Sequence, residues 1–432
     1  MKFTDRLQQL YARFRPKEPV MLAPGMSHLL WETEHGITRF HLRVERDGSG
    51  LLIANAAAAA QLSPSGVLIA KALLEGRDES EIVDSLKATF RGAAPELMRR
   101  DIAAVHNLLQ QLAAPGDAYP VFNLEDAALA PNATNLIAPL QAAVPLAPPD
   151  ILRSLLERLW EVNIPHVTFF APAAFDPADL VHAVEHAEDL GMIAGVRALA
   201  SALLTEGLLN DLRVAGIDHV TFPYAALDIG THDALFGAGD HQAADVVLAW
   251  LEENGICANI EIPLIEGALS QLEPTIHSLL SRGADTFSFV AYVTADPALV
   301  EQHDGALSAE AMPQLAAIIE EIAHDVQARF LWEPPVERDP AQTLAEQLQQ
   351  GPRCAGDVAV RVEADGRVIP PRGPYHSAGN LLHDDWEFIW NHEAFRRYRE
   401  RVAAPTRCEI CPGLVICAAD CPRERSGWAQ KA

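Results

Sequence analysis

Four cysteines close the sequence. Cys408, Cys411, Cys417 and Cys421 read C-x2-C-x5-C-x3-C, Cys354 lies upstream of them, and no cysteine precedes Cys257. Thiols this close together, with Pro412 and Pro422 bending the chain between and after them, bring several sulfurs to one point. That is what a zinc or iron–sulfur centre requires. Two disulfides or four unconnected thiols are the bland alternatives, and the spacing favours a metal. Whatever the front of the chain does, it does without thiolate ligands.

The chain that must position these thiols has 432 residues, enough for two or three domains with cores of their own. Its net charge of −26 gives no positive field for phosphates, so nucleic acid is not an expected partner. The N-terminal MKFTDRLQQLYARFRP lacks the apolar centre of a signal peptide. No apolar run is long enough for a membrane span. Clustered cysteines in such a chain point to the cytoplasm, where thiols stay reduced.

Periodicity divides the chain into three blocks. Residues 27–114 carry an alternating run from Thr38 to Val44, a turn at 46–50 and a second apolar run from Leu51 to Ala54. Three helices follow: one opened by Ser63 and Ser65, one capped by Asp78 with Glu81 completing a capping box, and one over Pro95–Ala113. Residues 115–131 read as a linker. In 132–335, strands are predicted at Asn135–Pro139, His166–Ala171, Met192–Val196, His219–Tyr224, Cys257–Pro263, Thr286–Tyr292 and Arg329–Trp332. The intervening helices include Pro149–Val162, Pro177–Leu190, Gln242–Asn254 and Ala309–Ala323. Strands alternating with amphipathic helices make a parallel α/β sheet, here an incomplete (β/α) barrel. Residues 341–432 hold a short helix, a β-like run from Val358 to Ile369 turning at Asp365-Gly366, and the cysteines.

The last block resembles a SPASM domain, the auxiliary iron–sulfur module of radical-SAM peptide-modifying enzymes. The likeness rests on Cys354-Ala355-Gly356, Val360–Gly366, Ile369-Pro370, Gly379-Asn380-Leu381, Ile389-Trp390-Asn391 with Phe395-Arg396, and the final cysteine run. The family carries seven cysteines and two clusters. Here Pro371 stands where one cysteine would be, and no cysteine follows Cys421. The resemblance implies a single centre, built on Cys408, Cys411 and Cys417 with Cys421 or Cys354 completing it. The metal is one iron–sulfur cluster, of 4Fe-4S type, or a zinc ion with four thiolates.

The middle block resembles the radical-SAM partial barrel and departs from it where SAM would bind. The family carries C-x3-C-x2-C just after the first barrel strand; the segment read here as that loop, Leu140–Ala147, has no cysteine. The Gly-Gly-Glu-Pro motif at the end of the second strand is replaced by Ala171-Pro172-Ala173-Ala174. SAM cleavage is chemistry of the cluster and cofactor, so no SAM is expected and the barrel reads as a pseudoenzyme.

The first block resembles the winged-helix-like PqqD-type peptide-binding domain through His41–Val44, Leu51–Asn55, Leu73–Gly76, Glu81–Val83 and Asp101-Ile102. In that family a leader peptide adds a strand to the sheet edge and packs on the third helix. The resemblance places a precursor peptide along Leu51, Leu52, Ile53, Ala54 and Asn55, with Leu97, Ile102 and Val105 supplying pockets unless the core uses them. DNA binding, the other use of a winged helix, is disfavoured by Glu75, Asp78, Glu79, Glu81 and Asp84.

Other residues read blandly. Cys257 is a core thiol in a strand. His182 and His186 share a helix face at ligand spacing but read as a solvated pair, and His219, His232 and His241 are scattered. Glu261 is placed at the barrel mouth. Arg396, Arg397, Arg399, Arg401 and Arg407 either pack on acidic neighbours or offset the charge of a thiolate-bound cluster. Two functions follow. One is a non-enzymatic scaffold that holds a precursor peptide for a catalytically competent radical-SAM partner. The other is an electron-transfer or catalytic protein whose reactive centre is the C-terminal cluster.

Overall fold

The computed structural model describes residues 21–33, 36–55, 58–90, 94–113, 136–294, 305–308, 311–326, 328–333, 335–354, 359–371 and 376–395. The chain divides into two compact units, Met1–Ala118 and Tyr119–Ala432.

In the first unit, strands β1 (Gly25–Thr33), β2 (Gly36–Val44), β3 (Gly50–Ala54) and β4 (Ala58–Leu62) form an antiparallel meander in chain order. Helices follow at Pro64–Leu74, Glu79–Thr89 and Pro95–Ala113. The caps form as expected: the Ser63 side chain accepts from the Gly66 amide, and Asp78 and Glu81 make a reciprocal capping box. Alternation sends Phe40, Leu42, Val44, Leu52 and Ala54 to one face, where they pack with Val67, Leu74 and Leu109 of the helices. The sequence predicts two strands and the structure has four. The two extra strands are β1 and β4; β4 is mostly alanine, which carries no β signal of its own.

The second unit is built on parallel strands β5 (Gln141–Pro145), β6 (His166–Phe170), β7 (Ile193–Arg197), β8 (His219–Pro223), β9 (Cys257–Leu264) and β10 (Thr286–Thr294), each paired with the next. The β10 edge carries three short parallel strands, β11 (Leu307–Ser308), β12 (Arg329–Trp332) and β13 (Val336–Glu337). The first barrel strand lies at Gln141–Pro145 rather than the expected Asn135–Pro139. The connection to the helix Pro149–Glu161 is therefore only Leu146–Pro148. One face of the sheet is apolar, with Val167, Phe169, Val196, Phe222, Ile260 and Phe287, and packs under helices such as Pro149–Glu161, Pro177–Asp189 and Asp240–Glu253. The other, concave face is polar.

The described part of the C-terminal block continues this sheet. Strand β14 (Ala359–Val362) pairs in parallel with β5 and antiparallel with β15 (Val368–Ile369), across a turn where Gly366 takes φ 84°. Two indoles fasten the short helix Trp386–Trp390 to the segment leading into β5. Trp386 Nε1 donates to the Ile137 carbonyl at 2.9 Å and Trp390 Nε1 to the Leu136 carbonyl at 2.8 Å. Their rings stack with centroids 6.0 Å apart.

Candidate functional site

Strand alternation fills the concave face with Thr168 and Phe170 of β6, Gly195 and Arg197 of β7, His219 and Thr221 of β8, Asn259 and Glu261 of β9, and Ser288 of β10. These positions surround a lumen lined further by Glu333 and Pro352. Its free space is about 10 Å³, room for a single water. Polar groups satisfy one another there: Gln141 Nε2 donates to Thr168 Oγ1 at 2.8 Å and Asn259 Nδ2 to Thr221 Oγ1 at 3.2 Å.

At the lumen floor, His166 Nε2 and His219 Nε2 lie 2.7 Å apart. That distance requires one ring nitrogen to donate and the other to accept. Burial first, and then the neighbouring His166, hold the His219 pKa well below its ordinary value.

At the mouth, Arg197 and Glu261 form a buried pair, 1 % and 3 % exposed. Arg197 Nε donates to Glu261 Oε2 at 3.2 Å and Nη2 donates to Oε1 at 2.8 Å, the bidentate fork suited to a guanidinium. The register places Arg197 beside Thr221 and Glu261 beside Pro223, so the pair spans β8 across the curl. Burial works against the arginine charge, but the Glu261 carboxylate more than offsets it and raises the Arg197 pKa. The remaining donors go to a helix end: Nη1 to the Gln349 carbonyl at 2.6 Å and Nη2 to the Leu348 carbonyl at 2.9 Å. Burial, then Glu261, push the nearby Tyr292 phenol up.

Glu261 thus points into the barrel mouth as expected, but Arg197, His166 and Tyr292 carry no motif and are missed by sequence reasoning. The one signal for Arg197 is a charged residue ending an otherwise apolar strand. His182 is exposed, and His186 is half-buried with Nε2 3.9 Å from Glu157 Oε1. His232 is fully buried; its Nδ1 accepts from the Ala225 amide and its Nε2 donates to Asp240. His241 Nε2 meets the Tyr224 hydroxyl at 2.8 Å. Cys257 has its thiol pushed up to about 12 by burial.

Cys408, Cys411, Cys417 and Cys421, with Arg396, Arg397, Arg399, Arg401 and Arg407, lie outside the described residues. Cys354 is buried with Ala143, Phe170 and Ala359. Among the described residues, no group of three or more His, Cys, Asp or Glu side chains could hold a metal ion. No described helix is long and apolar enough to cross a membrane.

The peptide-edge expectation needs one correction. Leu51–Ala54 belong to β3, which is bonded to β2 on one side and β4 on the other. The strand is interior because β4, unforeseen in the sequence, occupies its outer side. Leu51, Leu52, Ile53 and Ala54 are buried. Asn55 takes φ 47° at the strand end and accepts from the Arg39 amide. Ile102 packs in a core cluster with Ile69 and Ile82, Val105 is partly buried, and Leu97 is 43 % exposed. Among the described residues, the edges of this sheet are β1 and β4.

Comparison with known proteins sets this geometry in context. No protein-family model matches the chain. Over 277 residues it is 24% identical to a PqqA peptide cyclase of Bradyrhizobium diazoefficiens, covering 61% of this chain and 70% of that protein. Streptococcus suis SuiB bound to S-adenosylmethionine superposes with a TM-score of 0.54 at 13% identity, over 88% of this chain and 93% of SuiB. SuiB bound to the precursor peptide SuiA gives a TM-score of 0.53 at 12% identity, over 91% and 95%. The fold is of radical-SAM type. Within that fold, the lumen of this chain is filled by its own hydrogen-bonded side chains.

Proposed function

We propose that this chain is a radical-SAM/SPASM-type pseudoenzyme of peptide maturation, which binds a precursor peptide and presents it to a catalytically competent partner. One observation carries the reading. The connection after the first barrel strand is the cysteine-free Leu146–Pro148, shorter than a C-x3-C-x2-C motif. Three thiolates have no place to gather there. The Ala171–Ala174 stretch offers no carboxylate at the second strand end, and Arg197 with Glu261 occupies the mouth. The likeness to a peptide cyclase and to a peptide-bound fold supports the peptide role.

The N-terminal PqqD-like domain takes the peptide as an added strand on a free edge. Backbone groups of β1 or β4 supply the ladder. Trp31 of β1 meets His106 of the third helix edge-on at 6.0 Å, which gives β1 an aromatic rim beside its open edge. β4 offers small side chains, Ala59 and Ala60, against which bulky peptide residues fit. The SPASM-like tail holds one iron–sulfur or zinc centre on Cys408, Cys411 and Cys417. Cys421 is the simpler fourth ligand, because Cys354 is packed as a core thiol.

Titration with precursor-like peptides, followed by hydrogen exchange, tests the reading. Amides of β1 or β4 gain protection in a binder. If no peptide binds tighter than about millimolar, roughly −4 kcal/mol, the recognition role fails.

A further inference from the structure

The helix Leu344–Gln350 ends on the barrel mouth. Thr343 and Glu346 start it with a capping box. Leu348 is buried with Val290 and Tyr292 of β10, and Gln349 Nε2 donates to the Leu235 carbonyl at 2.8 Å. Two carbonyls of its last turn, on Leu348 and Gln349, accept from the Arg197 guanidinium. A helix C-terminus carries partial negative charge, so a cation there is favourable. Gly351 follows with φ 78°, and a Cβ built on it would lie 2.5 Å from Arg197 Cζ. The guanidinium is therefore seated in a gap that only glycine leaves open, and φ in this range also favours glycine.

We propose that Leu344–Gln350 is a lid over the barrel lumen and that Arg197 is its latch, held in turn by Glu261. The latch and the Leu348 anchor tie the helix end to the barrel strands, and the Gln349 side chain ties it to Leu235. The buried Gln347, which donates to the Glu337 carbonyl and accepts from Arg338 and the Asp339 amide, hinges it to the chain just before it. The polar lumen beneath retains Asn259 Oδ1 without a hydrogen-bond partner among the described residues, a group that solvent would satisfy once the lid lifts. The latch operates whether or not the chain binds a peptide.

Access to the lumen tests this. Ser288 is 1 % exposed on the concave face, so Ser288→Cys places a thiol under the lid. Its reaction with a small maleimide, read by peptide mass spectrometry, should be slow in the full chain. Gly351→Ala, which unseats the Arg197 side chain from outside the barrel strands, should speed it at least about tenfold. Amide exchange at 348–351 should rise while β5–β8 stay protected. Should Gly351→Ala fail to fold, Arg197→Met with Glu261→Leu removes the latch without stranding a buried charge and should give the same acceleration. Rapid labelling in the otherwise unaltered chain, or equal rates with and without the latch, overturns the proposal.

Discussion

His219 fills the space in front of Gly195. A Cβ on Gly195 would lie 1.8 Å from His219 Cε1 and 2.0 Å from Nε2, the nitrogen that meets His166. The two residues are register partners on β7 and β8, so the imidazole leans over the neighbouring backbone. Gly195→Ala must push the ring away and break the His166 contact. The expected loss is about 1–3 kcal/mol, the usual range for overpacking, read as a lower urea midpoint. An unchanged midpoint contradicts the contact.

The same imidazole gives a pH dependence of known sign. Its folded pKa is depressed, so the unfolded chain takes up a proton below about 6.5 while the folded chain does so only at much lower pH. Stability contributed by the neutral ring is therefore present above about 6.5 and is lost as pH falls toward the folded value. The slope per such group approaches about 1.4 kcal/mol per pH unit. Urea unfolding at pH of about 7.5 and 5.5 should show a smaller difference in His219→Asn than in the unaltered chain; equal differences contradict it.

The Arg197–Glu261 pair should respond asymmetrically to substitution. Glu261→Ala leaves a buried guanidinium with its carboxylate gone and should cost about 3–5 kcal/mol. Arg197→Met with Glu261→Leu should cost less than that single change, as measured by denaturant unfolding. A double variant weaker than the single one would show that the pair is worth more than its desolvation.

How much of this was legible in the sequence depends on the residue types involved. Strands β6 to β10 stood out because aromatic and β-branched residues such as Phe169, Val220 and Phe287 alternate between turn signals. β5 did not, since Gln141-Ala-Ala-Val-Pro145 has little β character and the more apolar Leu136–Ala138 beside it drew the assignment. The same blindness to alanine hid β4 and made β3 look like an edge. The helix caps were readable because Asp78 and Glu81 act within four residues. Arg197 and Glu261 lie 64 residues apart and meet only through sheet curl, which local pattern does not encode.

The described C-terminal block should stay docked when metal is removed. Trp386, Trp390 and the β14–β5 pairing hold it through protein contacts alone. After chelation, hydrogen exchange in 359–362 and 386–390 should be unchanged, whereas Trp390→Phe should cost about 1 kcal/mol by stranding the Leu136 carbonyl. Release of these segments by a chelator would mean that the metal, not the indole clamp, holds the block.

The central claim is that the barrel does not cleave SAM. Its most direct measurement is 5′-deoxyadenosine formation by the full chain, purified and cluster-reconstituted without oxygen and supplied with SAM and a strong reductant. With no thiolates at Leu146–Pro148 and the mouth occupied by Arg197, formation should stay at the level of a protein-free control. Repeated turnover above that control would contradict the account.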